Sequence, residues 1–438
     1  MPVEVVARTR TQALTASERC ARRLRTLRRS PWVVAALVAV VYCLWTAGYL
    51  LAGHSVLDVA HVGRRFALQS HASSDIVFPP DFAFAPSAGY DGQFNYFIAL
   101  DPAHAAAYID RPSYRYTRIL YPLLARAAAL GQPALVPYSL LLVNALAVAG
   151  GVLVVGLWLR RKGRSPWWAL LYGFSAGLFI AYQFDLAEPL AYGLAALGVY
   201  LLDFGGRRRV LWAGLAFALA ALARETTLVF PLIYAALAAV PGAQRRAESA
   251  WSALRRAATL VALTCGPLLA YKLFLARWLG GSGLSSDLLP TAYPLKGLVI
   301  STARGVDWWQ QLASVVLPAV MVGAAAAWAL LRSTRARREA GPWLVLAHVT
   351  LFVLFLGPLS YANLTASARV SVGVALAAIY CLPALGATSA AMPDVEAGQA
   401  GQAGRRRGWR AWTQAAVLLA GLLWLIPTAE AVLTFGSR

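Results

Sequence analysis

Apolar stretches of about 20 residues follow one another along most of this chain, and few folds accept such a sequence. A helix of about 20 mostly apolar residues crosses one bilayer, and it pairs its own backbone polar groups within the lipid. Hydrophobic residues make up 59% of the 438 positions, against roughly 45–50% in soluble proteins. The pattern predicts an all-α polytopic membrane protein with about eleven transmembrane helices. The predicted spans are 32–53, 134–158, 166–184, 186–204, 210–223, 226–240, 258–278, 312–331, 342–360, 368–388 and 411–433.

Arginine determines the predicted orientation. Six basic clusters hold 27 of the 40 Lys and Arg residues, and with these spans all six fall on one side of the membrane. Because Lys and Arg are enriched in short cytoplasmic loops, that side is predicted to be the cytoplasmic side of the plasma membrane. The net charge of +21 is thereby explained without nucleic acid as a partner. The clusters run over residues 8–29, 160–164, 207–209, 245–256, 332–338 and 405–410.

The same spans divide the chain into a membrane core, long external segments and flanking parts. Residues 389–410 begin with a run of small residues typical of a flexible linker. The predicted parts are a cytoplasmic basic arm (1–31), the core (32–388) with external segments 54–133 and 279–311, a cytoplasmic linker (389–410), and the last helix with an external C-terminus (411–438).

The two shortest spans, 210–223 and 226–240, are separated by the charged pair Arg224-Glu225. A hairpin places this pair at the external surface. A single kinked helix would bury it and would invert every later basic cluster. The positive-inside bias therefore favours the hairpin.

The tetrapeptide 90–93 (Tyr-Asp-Gly-Gln) lies in the first external segment. Residues 92–100 are predicted to form a short helix that Pro102 stops. Asp91, at the start of this helix, has two interpretations. Its carboxylate either caps the helix, as Asp commonly does at this position, or acts on a substrate at the membrane surface. The two interpretations are compatible, and spacing alone favours the cap.

Arginine and tyrosine are interspersed farther along the same segment. Guanidinium groups bind phosphate through two parallel N–H bonds, and aromatic side chains are favoured at the level of the lipid headgroups. A phosphate-binding loop and an amphipathic helix anchored at the interface both fit this pattern. The residues concerned are Arg111, Tyr114, Arg115, Tyr116, Arg118 and Tyr121.

Five more charged residues lie in or beside the predicted external turns. A single charge in a wet turn needs no function, whereas ionisable residues within spans are functional candidates by default. All five are predicted to share the outer surface with Asp91, and this convergence favours a functional site. They are Asp185, Glu188, Arg224, Glu225 and Arg369.

Metal and disulfide chemistry have little support in the sequence. The four cysteines show no CxxC spacing, and His54, His61, His71 and His104 in the first segment lack the spacing of a helical metal pair. The sequence therefore indicates neither a disulfide framework nor a metal site.

The order of the motifs resembles a known family. Tyr-Asp-Gly at 90–92 is followed by Tyr96, by Ile98-Ala99, and then by Arg118 and Tyr-Pro-Leu-Leu at 121–124. This order resembles the bacterial relatives of PIG-V-type mannosyltransferases, in the GT-C superfamily of integral membrane glycosyltransferases. That family typically shows Trp-Asp-Gly, an aromatic residue with Ile-Ala, and a Tyr-Pro-Leu element.

The resemblance covers residues 88–232 and fades afterwards. The acidic turn at Asp185 and the Ala-Arg-Glu-Thr-Thr stretch at 223–227 also belong to it. The chain departs from the family at Tyr90, where Trp is usual, and in a longer insert between Ala99 and Arg118.

The resemblance implies a GT-C-like fold whose first external loop carries short interfacial helices. It implies transfer of a sugar, mannose in the named family, from a polyprenyl-phosphate-linked donor to a lipid, glycan or protein acceptor on the extracytoplasmic face, with inversion. No cofactor is indicated, and a divalent metal stays open. The implied roles are general base for Asp91, donor-phosphate binding for Arg115, Arg118, Arg224 and Arg369, and substrate binding for Tyr90, Gln93, Tyr96, Asp185, Glu188 and Glu225.

Two other classes of protein remain open. In a transporter or flippase for a lipid-linked or anionic substrate, the same external charges would form a gate. Inverted internal symmetry would favour a transporter, and the sequence shows none. A membrane scaffold whose first loop binds a partner would leave the clustering of Asp91 with arginines unexplained.

Overall fold

A computed structural model describes residues 30–70, 78, 84–85, 88–240, 249–281, 283, 291–386, 412 and 415–428. About 80% of it is helical, and the described part contains no strand. The all-α prediction is therefore confirmed. Most of the predicted basic arm, the linker 389–410 and the C-terminal end lie outside the described residues.

Among the described residues, five helices are long and apolar enough to cross a membrane, by length and composition. Four shorter apolar helices accompany them. The prediction of a polytopic membrane protein is met in this coarser form. The five are Pro31–Leu51, Pro133–Arg161, Ala250–Leu279, Val306–Arg332 and Leu364–Leu385, and the shorter ones are Arg209–Ala223, Glu225–Ala239, Ala340–Leu354 and Ala415–Thr428.

Several of these spans include 3₁₀ or π turns joined to an α-helix. The α-helices, in chain order, are α1 (Pro31–Leu51), α2 (Arg64–Ser70), α3 (Gly92–Leu100), α4 (Pro112–Arg115), α5 (Leu120–Ala128), α6 (Val136–Arg161), α7 (Leu170–Gly173), α8 (Ala176–Gln183), α9 (Glu188–Phe204), α10 (Arg209–Ala223), α11 (Val229–Ala239), α12 (Ala250–Leu279), α13 (Lys296–Ile300), α14 (Val306–Gln311), α15 (Leu317–Arg332), α16 (Thr334–Arg337), α17 (Ala340–Val349), α18 (Leu364–Val370), α19 (Val372–Gly386) and α20 (Ala415–Thr428).

The predicted span 166–184 is not one helix. α7 ends at Gly173 before α8 begins, and the break leaves backbone carbonyls without helical partners. Such groups must be paired when they are buried. The Tyr42 hydroxyl donates to the Gly173 carbonyl at 2.7 Å, and the Thr428 hydroxyl donates to the Phe174 carbonyl at 2.8 Å. Helices from both ends of the chain therefore stabilise the break.

The chain reverses direction between α10 and α11, as the hairpin prediction requires. Arg224 is extended, with φ −161° and ψ 119°, and it interrupts the helix. The start of α10 lies near the end of α11, because Val210 of α10 and Ala238 of α11 line one cleft with Leu260 of α12. The charged pair at 224–225 therefore lies at the turn.

The 54–133 segment folds into short helices over the ends of the longer ones. Gln93 connects its parts, because its side-chain oxygen accepts from the Gly63 N–H at 3.0 Å and its side-chain nitrogen donates to the Ala88 carbonyl at 2.7 Å. Phe97 and Tyr121 are completely buried in the hydrophobic cluster beneath the segment. The described part of this segment is therefore a packed unit that holds a fixed position on the helices.

Candidate functional site

Four carboxylates and four guanidinium groups meet where the 54–133 segment covers the ends of α9, α10 and α18. They come from stretches that are far apart in sequence, and each is within ion-pair distance of another member. Five of them, Asp91, Glu188, Glu225, Arg224 and Arg369, are charged residues that the sequence predicted to share a surface, and Arg115, Arg118 and Asp110 complete the set. We call this set the charged network: Asp91, Asp110, Glu188, Glu225, Arg115, Arg118, Arg224 and Arg369.

Gly92 explains why Asp91 reaches this place. A Cβ at Gly92 would come within 2.0 Å of the Phe184 carbonyl oxygen, so the start of α3 touches the end of α8. Only glycine permits so close an approach of two backbones. The Asp-Gly pair therefore sets the carboxylate beside the turn that leads into α9.

The capping interpretation of Asp91 is wrong. Its side chain makes no hydrogen bond to the first turn of α3. A capping residue normally has extended backbone angles that turn its side chain back to the free N–H groups, whereas Asp91 is helical at φ −59° and ψ −25°. The carboxylate consequently points away from the helix and is available to other partners.

Two arginines are the partners of the Asp91 carboxylate. Oδ1 of Asp91 is 2.9 Å from Nη1 of Arg115, and Oδ2 accepts from Nη1 of Arg369 at 3.0 Å. The carboxylate side chain is 27% exposed, so one side stays open. Burial raises the pKa of the Asp91 carboxyl, but Arg369, Arg115 and Arg118 outweigh burial and lower this pKa well below its usual value. Asp91 is therefore ionised.

Asp110 holds Arg115 in position from the opposite side. Its two oxygens accept from Nε at 2.6 Å and Nη2 at 3.0 Å, and the guanidinium lies 4.1 Å above the centre of the Phe94 ring. This two-bond geometry fixes the plane of the guanidinium and leaves Nη1 directed at Asp91. Sequence reasoning missed Asp110, because the left-handed turn at Arg111, with φ 43°, makes the contact and has no sequence signal.

Arg369 joins the 54–133 segment to the helical core. α18 carries it, and Gly177 of α8 packs so closely that a Cβ would come within 2.1 Å of the Ala368 carbonyl oxygen. Arg369 donates to the Tyr90 hydroxyl at 3.0 Å, and its Nε lies 3.1 Å from Oε1 of Glu188. Its guanidinium thus contacts Asp91, Glu188 and Tyr90 together.

Glu188 and Arg224 form the buried part of the charged network. Glu188, the first residue of α9, is 1% exposed and its Oε1 accepts from Arg224. A carboxylate is also favoured at a helix N-terminus by the helix dipole. Arg224 is 5% exposed and does not line the cleft described below, so its contact is with Glu188 rather than with the open space.

Arg118 lies beside the hairpin turn. It donates to the Tyr114 hydroxyl at 2.6 Å, and its Nε is 3.9 Å from Oε2 of Glu225. Burial lowers the pKa of Arg118, but the combined effect of Tyr114, Glu225 and Glu188 is larger and opposite. The pKa of Arg118 is therefore above its usual value. Arg118 is therefore a permanent cation beside the hairpin turn.

A narrow cleft opens among these side chains, and its space of about 290 Å³ includes open solvent. It combines two carboxylates, three guanidinium groups, an amide and an aromatic ring, and sequence reasoning missed the roles of Phe94 and Asn95. We call it the Asp91 cleft. Its lining residues are Asp91, Phe94, Asn95, Arg115, Arg118, Leu186, Ala187, Glu188 and Arg369.

Several predicted substrate-binding residues lie outside the Asp91 cleft. Gln93 is 1% exposed and uses its amide within the 54–133 segment, and Tyr96 is buried in the cluster beneath it. Asp185 is completely buried. Its backbone carbonyl accepts from the Asn95 side chain at 2.8 Å, and its carboxylate accepts from the Tyr121 hydroxyl at 3.4 Å. Asp185 therefore orients Asn95 and is not placed to contact a substrate.

Tyr90 and Glu225 border the Asp91 cleft through their arginine partners. Burial raises the pKa of Tyr90 to about 12 despite the opposing effect of Arg369, so its hydroxyl stays protonated at neutral pH. Glu225 faces Arg118. Both are placed to orient an arginine.

No group of three or more metal-ligating side chains occurs among the described residues. No protein-family model, curated protein or solved structure matches this chain. The chemistry of the Asp91 cleft follows from its own residues. It combines an ionised carboxylate with one open side and three cations that suit an anionic group.

Proposed function

We propose that this chain is a membrane glycosyltransferase with about eleven spans and the GT-C-like architecture that its motifs resemble. It transfers a sugar, mannose by the resemblance, from a polyprenyl-phosphate-linked donor to a hydroxyl of a lipid, glycan or protein acceptor. The reaction takes place on the extracytoplasmic face of the plasma membrane, and Asp91 is the general base. The observation that supports this proposal is the double ion pair of Asp91 with Arg115 and Arg369 in a partly open cleft.

The donor phosphate is held by Arg115, Arg118 and Arg369. These three guanidinium groups line the Asp91 cleft, and guanidinium matches a phosphate through paired N–H bonds. Arg224 receives a different role from the sequence prediction, because it does not line the cleft and instead pairs with Glu188, whose carboxylate it positions.

The reaction is a single displacement with inversion. The acceptor oxygen forms a bond to the anomeric carbon while the bond from that carbon to the phosphate oxygen breaks. Asp91 takes the proton of the hydroxyl, and the polyprenyl phosphate leaves with one more negative charge. The arginines stabilise this developing charge, and the carboxylate assists the attack as a positioned base.

Donor binding also explains how so weak a base becomes effective. Before binding, the arginines depress the pKa of Asp91, and a carboxylate with a low pKa is a poor proton acceptor. A phosphate that takes over N–H groups of Arg115 and Arg369 draws positive charge from Asp91 and raises its basicity. The donor thus prepares the base for the acceptor.

The experiment uses the purified full chain in proteoliposomes, with polyprenyl phosphates carrying labelled mannose or another hexose and a membrane lipid extract as acceptor. Asp91→Asn keeps the shape of the side chain and removes the proton acceptor, so transfer should fall by about 100-fold or more. Donor binding should remain. Near-normal transfer by a well-folded Asp91→Asn protein would contradict the assignment.

Asp101→Asn is the matched control. Asp101 ends the same helix, α3, and its side chain is 15% exposed, but it pairs with His104 and does not line the Asp91 cleft. Its replacement should leave transfer within about twofold, as for a surface change.

A lipid flippase is the second candidate, because the ion pairs of Asp91 with Arg369 join the 54–133 segment to the helical core as a gate would. The same proteoliposomes distinguish the two functions. Movement of the labelled donor between leaflets without transfer of its sugar would favour the flippase.

A further inference from the structure

A second cleft lies among α9, α10, α11 and α12, and its space of about 550 Å³ includes open solvent. Six apolar side chains form its walls, among them Val210, Ala238 and Leu260. Its polar lining consists of Asp203, Tyr234, Arg209 and Arg256. We call it the basic cleft.

The basic cleft lies at the opposite end of the helices that carry the charged network. α9 begins at Glu188 in that network and reaches the basic cleft at Asp203. α10 begins at Arg209 in the basic cleft and ends one residue before Arg224. At 1.5 Å per residue these helices separate the two sites by roughly 22–24 Å, so the two clefts cannot share a ligand headgroup.

The carboxylate of the basic cleft already has partners. Oδ2 of Asp203 lies 2.9 Å from Nζ of Lys162 and accepts from Nε1 of Trp158 at 2.8 Å. Lys162 is therefore the ionic partner of Asp203. Arg209 and Arg256 are the two cationic side chains that line the basic cleft.

The basic cleft adjoins the lipid-facing surface. Of the five candidate spans, α12 is the one least buried inside the protein, with 22% of its most apolar window covered. Leu254 and Leu269 of this helix are exposed. The helix that lines the basic cleft therefore also exposes apolar side chains on its outer surface.

We propose that the basic cleft binds an anionic phospholipid, with the headgroup phosphate on Arg209 and Arg256 and an acyl chain against the wall of Val210, Ala238 and Leu260. Guanidinium pairs well with phosphate diesters, and basic pockets between membrane helices suit anionic headgroups. Burial of the chain adds apolar contact area. On the predicted orientation the lipid comes from the cytoplasmic leaflet.

The chain's own basic segments are not suited to occupy the basic cleft in place of a lipid. The N-terminal residues 8–29 carry eight arginines and the 405–410 stretch carries four. Both have the same sign of charge as the basic cleft, so Coulomb repulsion opposes their entry. A zwitterionic lipid should bind more weakly than an anionic one, because the cation of its headgroup is repelled by the guanidinium groups.

The test titrates the purified full chain in detergent with dioleoyl phosphatidylglycerol or dioleoyl phosphatidylcholine and counts bound lipid by native mass spectrometry. The wild-type protein should retain one phosphatidylglycerol much more tightly than phosphatidylcholine. The double variant Arg209→Gln, Arg256→Gln should bind that phosphatidylglycerol at least tenfold more weakly, since hydrogen bonds to charged groups are lost. Equal affinity for the two lipids, or no effect of the double variant, would overturn the proposal.

A matched control removes the same charge beside the basic cleft. Arg207 and Arg208 are exposed and do not line it, so the variant Arg207→Gln, Arg208→Gln should keep the tightly bound lipid. An equal loss in the control would mean general attraction to a basic surface and would overturn the site.

Two further measurements keep the proposal testable if the double variant folds poorly. Ala238→Leu fills the apolar wall without changing charge, and it should weaken phosphatidylglycerol binding several-fold while leaving the protein monodisperse. Soluble glycerol 3-phosphate should not displace the lipid at millimolar concentration, because it lacks the acyl chain. Full displacement would assign the basic cleft to free phosphate esters and would overturn the lipid proposal. None of these outcomes depends on sugar transfer.

Discussion

The two ends of α9 and α10 carry charge in opposite ways. At the charged network, Glu188 and Arg224 are almost completely buried and satisfy each other. At the basic cleft, Asp203 pairs with a Lys162 that is 35% exposed, and the arginines face an open cavity. Burial makes a charge pair costly to break, whereas exposure lets it reorganise. One end is therefore suited to fixed geometry and the other to a mobile anionic ligand.

Of the substitutions considered, Glu188→Gln should cause the largest loss of thermal stability. It leaves Arg224 and Arg369 buried with one carboxylate fewer, and breaking a buried pair from one side costs about 3–5 kcal/mol. Most of the protein should be lost from the monodisperse peak in fluorescence-detected size-exclusion chromatography after mild heating. Unchanged thermal resistance would show that the pair is not tightly buried.

Arg369→Lys should lower the rate of sugar transfer strongly and the stability of the protein only slightly. Lysine retains the charge but cannot contact Asp91, Glu188 and Tyr90 together, because it lacks the planar fork. Transfer should fall by about 10- to 100-fold, with the donor KM raised. Arg224→Lys is the comparison within the same charged network, and it should affect stability more than donor KM. Equal kinetic effects of the two substitutions would remove the distinction between cleft and supporting arginines.

Asp110→Asn should weaken transfer by about tenfold through Arg115. Asparagine accepts one hydrogen bond in place of the bidentate, charge-assisted pair, so Arg115 loses its fixed plane. A positioning role predicts a lower kcat with nearly unchanged thermal stability, and partial rescue by Asp110→Glu. A loss of stability that matches the loss of activity would indicate a structural role only.

The pH dependence of transfer should differ between kcat/KM and kcat. Asp91 acts in its ionised form, so activity falls as the pH drops through its pKa. In the free protein the arginines lower this pKa well below the usual value of about 3.9, so the acidic limb of kcat/KM should lie below it. In the donor complex the phosphate shares the arginines, and the limb of kcat should move to higher pH. Coincident limbs would contradict donor-dependent basicity.

Asp203→Asn should have the smallest effect. The pair with Lys162 is partly exposed, and such pairs contribute about 0–1 kcal/mol. Thermal stability should hardly change, and the net positive charge of the basic cleft should increase, with tighter phosphatidylglycerol binding. Destabilisation comparable to that of Glu188→Gln would erase the difference between the two ends.

The fold follows from the sequence where the governing signal is local. Apolar length predicts membrane helices, Pro102 follows the short helix α3, and the charged pair at 224–225 marks the reversal between α10 and α11. The break at Gly173 could not be predicted, because it depends on Tyr42 and Thr428, which supply hydrogen bonds from remote helices.

The candidate site divides in the same way. The sequence by itself determined which charged residues share one end of the bundle. Span length and the distribution of arginines assign each turn between helices to one side of the membrane. Only the tertiary structure decided that Asp91 pairs with Arg115 and Arg369, that Asp110 holds Arg115, and that Gln93 and Asp185 face inward. The physical reason is that hydropathy acts over whole helices and can be read along the chain. A hydrogen bond needs two atoms within about 3 Å, and only the packing of distant segments brings them there.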